Sequence, residues 1–252
     1  MSRILPSGVG VLAARGERRR AARRVLRVLP FALLCGQVLV GADDRVNTLT
    51  AAEKAAGWKL LFDGKSVAGW RGFKTPTPPQ GWKAVDGTLT RDATSGDLMT
   101  ADEYGDFELR LEWKLGKAGN SGIMFRVTPE GQETWHSGPE VQVLDNAGHK
   151  DGANPLTAAG SNYAVHPPGR DVTKPLGEWN AVRLVVNGAH VEHWLNGVKV
   201  VEYELWSPDW HKRVQASKFG KIPPYGRAKR GHIAIQDHGD PVWYRNIKIK
   251  PL

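Results

Sequence analysis

The sequence predicts an all-β sandwich of two antiparallel sheets with one short helix near residues 207–218. Three observations predict it. About ten short apolar runs carry strand periodicity, Gly-containing turns separate them, and sustained helical periodicity is almost absent. The ten tryptophans all lie beyond residue 57 and supply bulky core material to a chain whose only cysteine is Cys35.

The elements follow in order. A short helical stretch at 50–56 precedes Trp58-Lys-Leu-Leu-Phe62, which runs into an Asp63-Gly64 turn. Residues 82–90 read as a hairpin around Asp86-Gly87. Phe107-Glu-Leu-Arg-Leu-Glu-Trp-Lys114 alternates strictly, with apolar side chains on one face and charges on the other. Runs at 122–127 and 140–144 come next. Three strands follow at 179–186, 191–195 and 198–203, joined by Asn187-Gly188 and Asn196-Gly197 turns. Ser207-Pro208-Asp209 reads as N-cap, first helical residue and acidic first turn of the one helix. Strands at 232–236 and 243–249 complete the set.

The net charge of +9 resides mainly in the first 27 residues, where eight arginines face one acid, Glu17. The rest carries about +2, an ordinary surface that argues against a nucleic-acid partner. The basic start, the apolar run at 28–40 and small residues at 40–42 read as an export signal over 1–42, hence a periplasmic or secreted protein. The run is shorter than the ~20 residues of a spanning helix, so no stable membrane insertion is expected after cleavage. Arg23-Arg24 is a weak twin-arginine match, and Cys35 lacks the small residues of a lipoprotein site. Residues 43–57 then form a lead-in and 58–252 a single domain. A cysteine nucleophile and thiolate metal sites are excluded from that domain.

Candidate chemistry centres on Glu140-Val-Gln-Val-Leu-Asp145. Glu140 and Gln142 share one face and Val141 and Val143 the other, so one side belongs to the core and one is open to a ligand. Their Cα atoms lie about 6.6 Å apart, which suits a glycosidase carboxylate pair, but glutamine cannot ionise. Asp145 is about 16 Å from Glu140 along a straight strand. A double-displacement glycosidase, and an ordinary endo-glucanase with it, is therefore disfavoured. In Gly231-His-Ile-Ala-Ile-Gln-Asp-His-Gly239, Gln236 and His238 share a face and offer sugar hydrogen bonds and acid–base chemistry. In Gly119-Asn-Ser-Gly-Ile-Met-Phe-Arg126 the glycines allow close approach of a ligand, and Met124 shares a face with Arg126. Trp135, Trp206 and Trp210 are candidates to stack on sugar rings, although tryptophan is more often core. No spacing is diagnostic of a metal. His136, Glu140 and Asp145 form one conceivable divalent set, and His190 and His193 point to opposite faces.

The ordered set is more specific than any one segment. It comprises Leu60-Leu-Phe-Asp-Gly-Lys-Ser-Val-Ala-Gly-Trp70, Tyr104-Gly-Asp-Phe-Glu-Leu109, the three segments above, Gly177-Glu-Trp-Asn180, Leu195-Asn-Gly197 and Tyr244-Arg-Asn-Ile247. Over residues 58–252 it resembles the 3-keto-disaccharide hydrolase family. The resemblance implies a concanavalin A-like jelly roll and a carbohydrate substrate whose sugar is a ketone at C3. It further implies removal of the C2 proton, elimination across C1–C2 and then hydration. Apart from the resemblance, no cofactor is expected, with a divalent metal as the alternative. Carried onto matching positions, the resemblance points to Glu140, His238 and Asp145 as catalytic groups. It assigns Asn120, Arg126, Gln142, Gln236 and Arg245 to substrate binding. Tyr163 keeps the family's aromatic position in a segment, 159–164, that departs from the pattern. The rival reading is a non-catalytic carbohydrate-binding module using the same concave face.

Overall fold

The protein is described here by a computed structural model covering residues 46–252. The expected export leader at 1–42, with Cys35, lies outside the described residues. A five-residue helix, α1 (Ala51–Ala55), opens the fold on a capping box. The Thr50 side chain accepts from the Glu53 N–H, and the Glu53 carboxylate accepts from the Thr50 N–H. The lead-in is fastened to the last strand by Asn47 and Asn246, each accepting from the other's backbone N–H at 2.7 and 2.8 Å.

In chain order the strands are β1 (Lys59–Leu60), β2 (Trp70–Gly72), β3 (Trp82–Val85), β4 (Thr88–Arg91), β5 (Leu98–Thr100), β6 (Phe107–Leu115), β7 (Asn120–Val127), β8 (Glu140–Leu144), β9 (Asn180–Asn187), β10 (His190–Leu195), β11 (Val198–Glu204), β12 (His232–Ile235) and β13 (Val242–Pro251). The first sheet runs β11-β10-β9-β6-β13-β4-β3, with β1 also on β13, and the second runs β2-β5-β12-β7-β8. Every pairing is antiparallel. The fold is the expected two-sheet jelly roll. The short strands β2 and β5 go beyond the sequence reading, because three residues are too few to show a period.

The sheets differ in a way that positions the site. In the first, burial alternates along β9 and β10, one face in the core and one outward. In the second, all eight residues of β7 and all five of β8 are buried. The core between the sheets is built from side chains such as Leu109, Leu111, Phe107, Phe125, Ile123, Val141 and Val143. The outer face of the second sheet carries a smaller cluster, Met99, Met124, Val127 and Ala234, covered by Phe73 and Trp135. The face expected to lie open is thus largely roofed.

Part of that roof is α2 (Pro208–Ala216), capped as expected by the Ser207 side chain accepting from the Trp210 N–H at 3.1 Å. It is followed by a 3₁₀ turn, Lys218–Lys221. A ladder of near-parallel rings anchors this region: Phe219 on Tyr225 at 3.9 Å, Tyr225 on Trp210 at 5.9 Å, Trp210 on Tyr203 at 5.5 Å and Tyr203 on His166 at 4.5 Å. Gly226 has φ +65°, and a Cβ there would come within 2.5 Å of the Trp210 ring, so only glycine fits.

Candidate active site

β8 delivers Glu140 and Gln142 to the outer face of the second sheet while Val141 and Val143 enter the core. Across β7, Met124 stands opposite Glu140 and Gly122 opposite Gln142. Ala234 of β12 and Met99 of β5 continue the first row. Gln236 continues the second, its N–H bonded to the Gly122 carbonyl at 2.9 Å. On its other side β8 is paired by residues 160–163, with Gln142 N–H to Ser161 O at 3.1 Å and Tyr163 N–H to Glu140 O at 3.0 Å. Glu140 therefore sits on an interior strand with an apolar floor beside it.

The Glu140 carboxyl lies over Gly122, where a Cβ would be 1.8 Å from Oε1. Only a residue without a side chain leaves room for it. Glu140 is 4% exposed, and its carboxyl has no hydrogen-bond donor and no cation within ion-pair distance among the described residues. Burial pushes it up to about 8; Lys218 opposes that rise and Asp97 adds to it. Lys218 stands near but not on the carboxylate. Its ammonium packs over the rings of Tyr163 at 4.3 Å, Trp135 at 5.1 Å and Phe219 at 5.1 Å. Desolvation lowers it from the ordinary lysine value, against the pull of Glu140 and Asp151. Burial, then Glu140 and Asp151, raise the Tyr163 phenol.

Asp97, just before β5, is the second buried acid near this face. It accepts from the Thr134 hydroxyl and from the Asp237 N–H at 2.8 Å. Burial carries it up to about 6, and the charges of Asp237 and Glu133 add to the rise. It borders a cavity of about 370 Å³ shared with Phe73, Thr134 and Asp237. Asp237 is held by Arg91 in a buried ion pair and accepts from the Ser95 and Gly96 N–H groups at 2.7 and 3.0 Å.

Of the residues expected from the sequence, Glu140, Gln142, Tyr163 and Gln236 meet at this face. Gln142 is 2% exposed. The Gln236 amide makes no hydrogen bond among the described residues. Asn120 is 3% exposed, with its N–H donated to Asp240 at 3.2 Å and its side-chain carbonyl unpartnered. His238 is exposed beyond β12, 3.4 Å from Asp240 and with its ring 6.1 Å from that of His149. The Asp145 carboxylate accepts from the Ala118 and Gly148 N–H groups at 2.8 and 3.1 Å, tying two loops together.

Two arginines are elsewhere. Arg126 has φ +51° beside a register shift between β7 and β12, so face alternation breaks after Met124. Its guanidinium bonds Gly105 O, Asp106 and Gly188 O at 3.1, 2.9 and 3.0 Å and packs over Trp206. Arg245 lies on β13 of the first sheet, where it pairs with Glu112 at 2.6 Å and stacks on Trp179 at 4.1 Å. Among the three tryptophans only Trp135 reaches the Glu140 face. Trp210 is inside the ring ladder, and Trp206 donates to the Gly226 carbonyl. Lys218, Asp97 and His149 were not anticipated. They come from loops and turns with no period to mark them, so no local signal could have found them.

The divalent set His136, Glu140 and Asp145 does not converge as a cluster among the described residues. His193 is buried, its Nδ1 3.0 Å from the Gly160 carbonyl. The cluster that does converge is His190, Glu192 and Glu202, on β10 and β11 of the first sheet, with ligand atoms within 4.8 Å of one another. There Lys199 already pairs with both glutamates at 3.3 and 2.7 Å.

The chain is similar to known proteins over most of its length. It is 36% identical to a 3-keto-disaccharide hydrolase of Bacteroides thetaiotaomicron, with 82% of each chain covered. Two solved structures from Parabacteroides distasonis, each described as a candidate glycosyl hydrolase, share the fold. One has a TM-score of 0.77 at 35% identity, covering 82% of this chain and all of that one. The other has a TM-score of 0.63 at 30% identity, covering 77% and 99%. A family model described as a 3-keto-alpha-glucoside-1,2-lyase-like domain matches residues 57–250, and the chain therefore belongs to that family.

Proposed function

We propose that the protein cleaves glycosides whose sugar carries a ketone at C3, with Glu140 as the base that removes the C2 proton. The reading is carried by one observation: a buried carboxyl with no partner, laid over Gly122 on a face that also holds Gln142 and Gln236. A structural carboxylate is ordinarily paired, and leaving one unpaired is costly, which is a feature of reactive groups. A C3 ketone acidifies the neighbouring C–H, so one base suffices to start the reaction. The resulting enolate expels the C1 substituent, and water added at C1 completes a net hydrolysis. This route accommodates a glutamine where a displacing glycosidase needs its second acid. The names of the family and of the Bacteroides relative are those of enzymes with such substrates.

Gln142 and Gln236 donate to sugar oxygens, and the leaving oxygen takes its proton at the exposed rim, where His238 stands. The reactive form is ionised Glu140, so exchange of the C2 hydrogen with solvent rises with pH to a plateau above about 8. The test is incubation with 3-keto-trehalose in D₂O, following C2 deuteration and release of glucose. Wild type should do both, Glu140→Gln should lose both by about a thousandfold or more, and unoxidised trehalose should not react. A Glu140→Gln protein that still exchanges C2 would sink the assignment. Binding of sugar without turnover by wild type would favour the carbohydrate-binding module instead.

A further inference from the structure

We propose that Lys218 is the electrophilic group of this site, donating its ammonium N–H to the substrate's C3 oxygen as negative charge develops there. The inference rests on the proposed C2 proton abstraction. That step places charge on one oxygen, and the glutamines offer only neutral dipoles. Arg126, expected from the sequence to bind substrate, is committed to Asp106 and two carbonyls, and Arg245 belongs to the other sheet. Arg91 is paired with Asp237 and Lys74 bonds the Gly131 carbonyl. Among the described residues Lys218 is the cation whose charge favours ionised Glu140, and its ammonium packs over Tyr163, whose N–H bonds the Glu140 carbonyl.

Its setting suits the task. Three rings hold the ammonium without neutralising it, and among the described residues no carboxylate lies within ion-pair distance. A direct pair with Glu140 would have quenched both base and electrophile. The charged and titratable groups that act on it are Glu140 and Asp151, with the Tyr163 phenol against it. The ring ladder behind Phe219 fixes the turn that carries it.

The electron count is closed. Glu140 takes the C2 proton, the C–H pair becomes the C2–C3 double bond, and the carbonyl π pair moves to the C3 oxygen, where Lys218 donates without transferring its proton. The oxygen pair then re-forms the ketone, the C1–C2 double bond forms, and the C1–O bond breaks with its pair on the leaving oxygen, which is protonated at the rim. Water adds at C1 as hydroxide, its second proton replaces the one the leaving oxygen took at the rim, and Glu140, whose proton exchanges with solvent, protonates C2.

The test uses the full chain with Lys218→Met, Lys218→Gln and Lys218→Arg, checked for folding by thermal unfolding. Lys218 is exposed and at the surface of a turn, so the variants should fold. With 3-keto-trehalose, Met and Gln should lower kcat and C2 deuteration together by about a hundredfold or more, and Arg should recover part of it. The rising limb of the pH–rate profile should move above its wild-type position, because the cation that favours ionised Glu140 is gone. Inhibition by unoxidised trehalose, which has no ketone, should be unchanged. C2 deuteration within threefold of wild type in Lys218→Met, or equal weakening for keto and parent sugar with kcat intact, overturns the proposal. The two readings fail separately. Exchange that survives Glu140→Gln removes the base assignment, whereas exchange lost in Glu140→Gln but kept in Lys218→Met removes only the electrophile.

Discussion

Glu140 is where stability and chemistry conflict. Its folded value near 8 lies above the ordinary 4.5, so the fold binds its proton more tightly than the unfolded chain does. The stability tied to that proton is complete below pH 4.5 and is lost as pH rises towards 8. Glu140→Gln should therefore match wild type in melting at pH 4.5 and exceed it at pH 8.5 by on the order of 5 kcal/mol, as read by calorimetry. The neighbouring acid acts on the same group. Asp97→Asn removes a charge that raises Glu140, so the C2-exchange limb should shift below pH 8 in that variant. Gly122→Ala would set a Cβ 1.8 Å from the carboxyl oxygen, so the carboxyl must move. A displacement of an ångström costs about a hundredfold, and steady-state kinetics on a 3-keto-glycoside should show that loss in kcat.

At the scale of elements, β8 was legible and β7 only half so. The alternation of Glu140-Val-Gln-Val follows from strand geometry and needs nothing beyond the local sequence. Arg126 obeyed the same rule on paper, placed with Met124, but φ +51° turns it aside to Asp106 and Gly188. A left-handed non-glycine residue beside a bulge has no reliable local signature, because the pairing with β12 imposes it. The helix start at Ser207 was readable from its cap, but the value of α2 lies in what it stacks. Trp210 is 2% exposed and sits between Tyr203 and Tyr225. Trp210→Ala should cost about 3–5 kcal/mol in denaturant unfolding and should lower kcat as well, since the ladder seats the Lys218 turn.

For the whole molecule the decisive feature is that the two sheets have unlike outer faces. The first presents alternating, solvated strands and hosts the Arg245–Glu112 pair. The second is roofed by the 134–136 turn, the 160–163 segment and the 218–221 turn, so its polar residues are desolvated. The sequence by itself determined the all-β class, the antiparallel turns, the capped helix and the shared face of Glu140 and Gln142, because periods and caps are local consequences of backbone geometry. Only the tertiary structure decided that this face is roofed, that Lys218 and Asp97 bear on Glu140, and that Arg126, Asp145 and Arg245 are occupied elsewhere. Burial and electrostatic coupling depend on which distant segments meet, and no period in the chain records that.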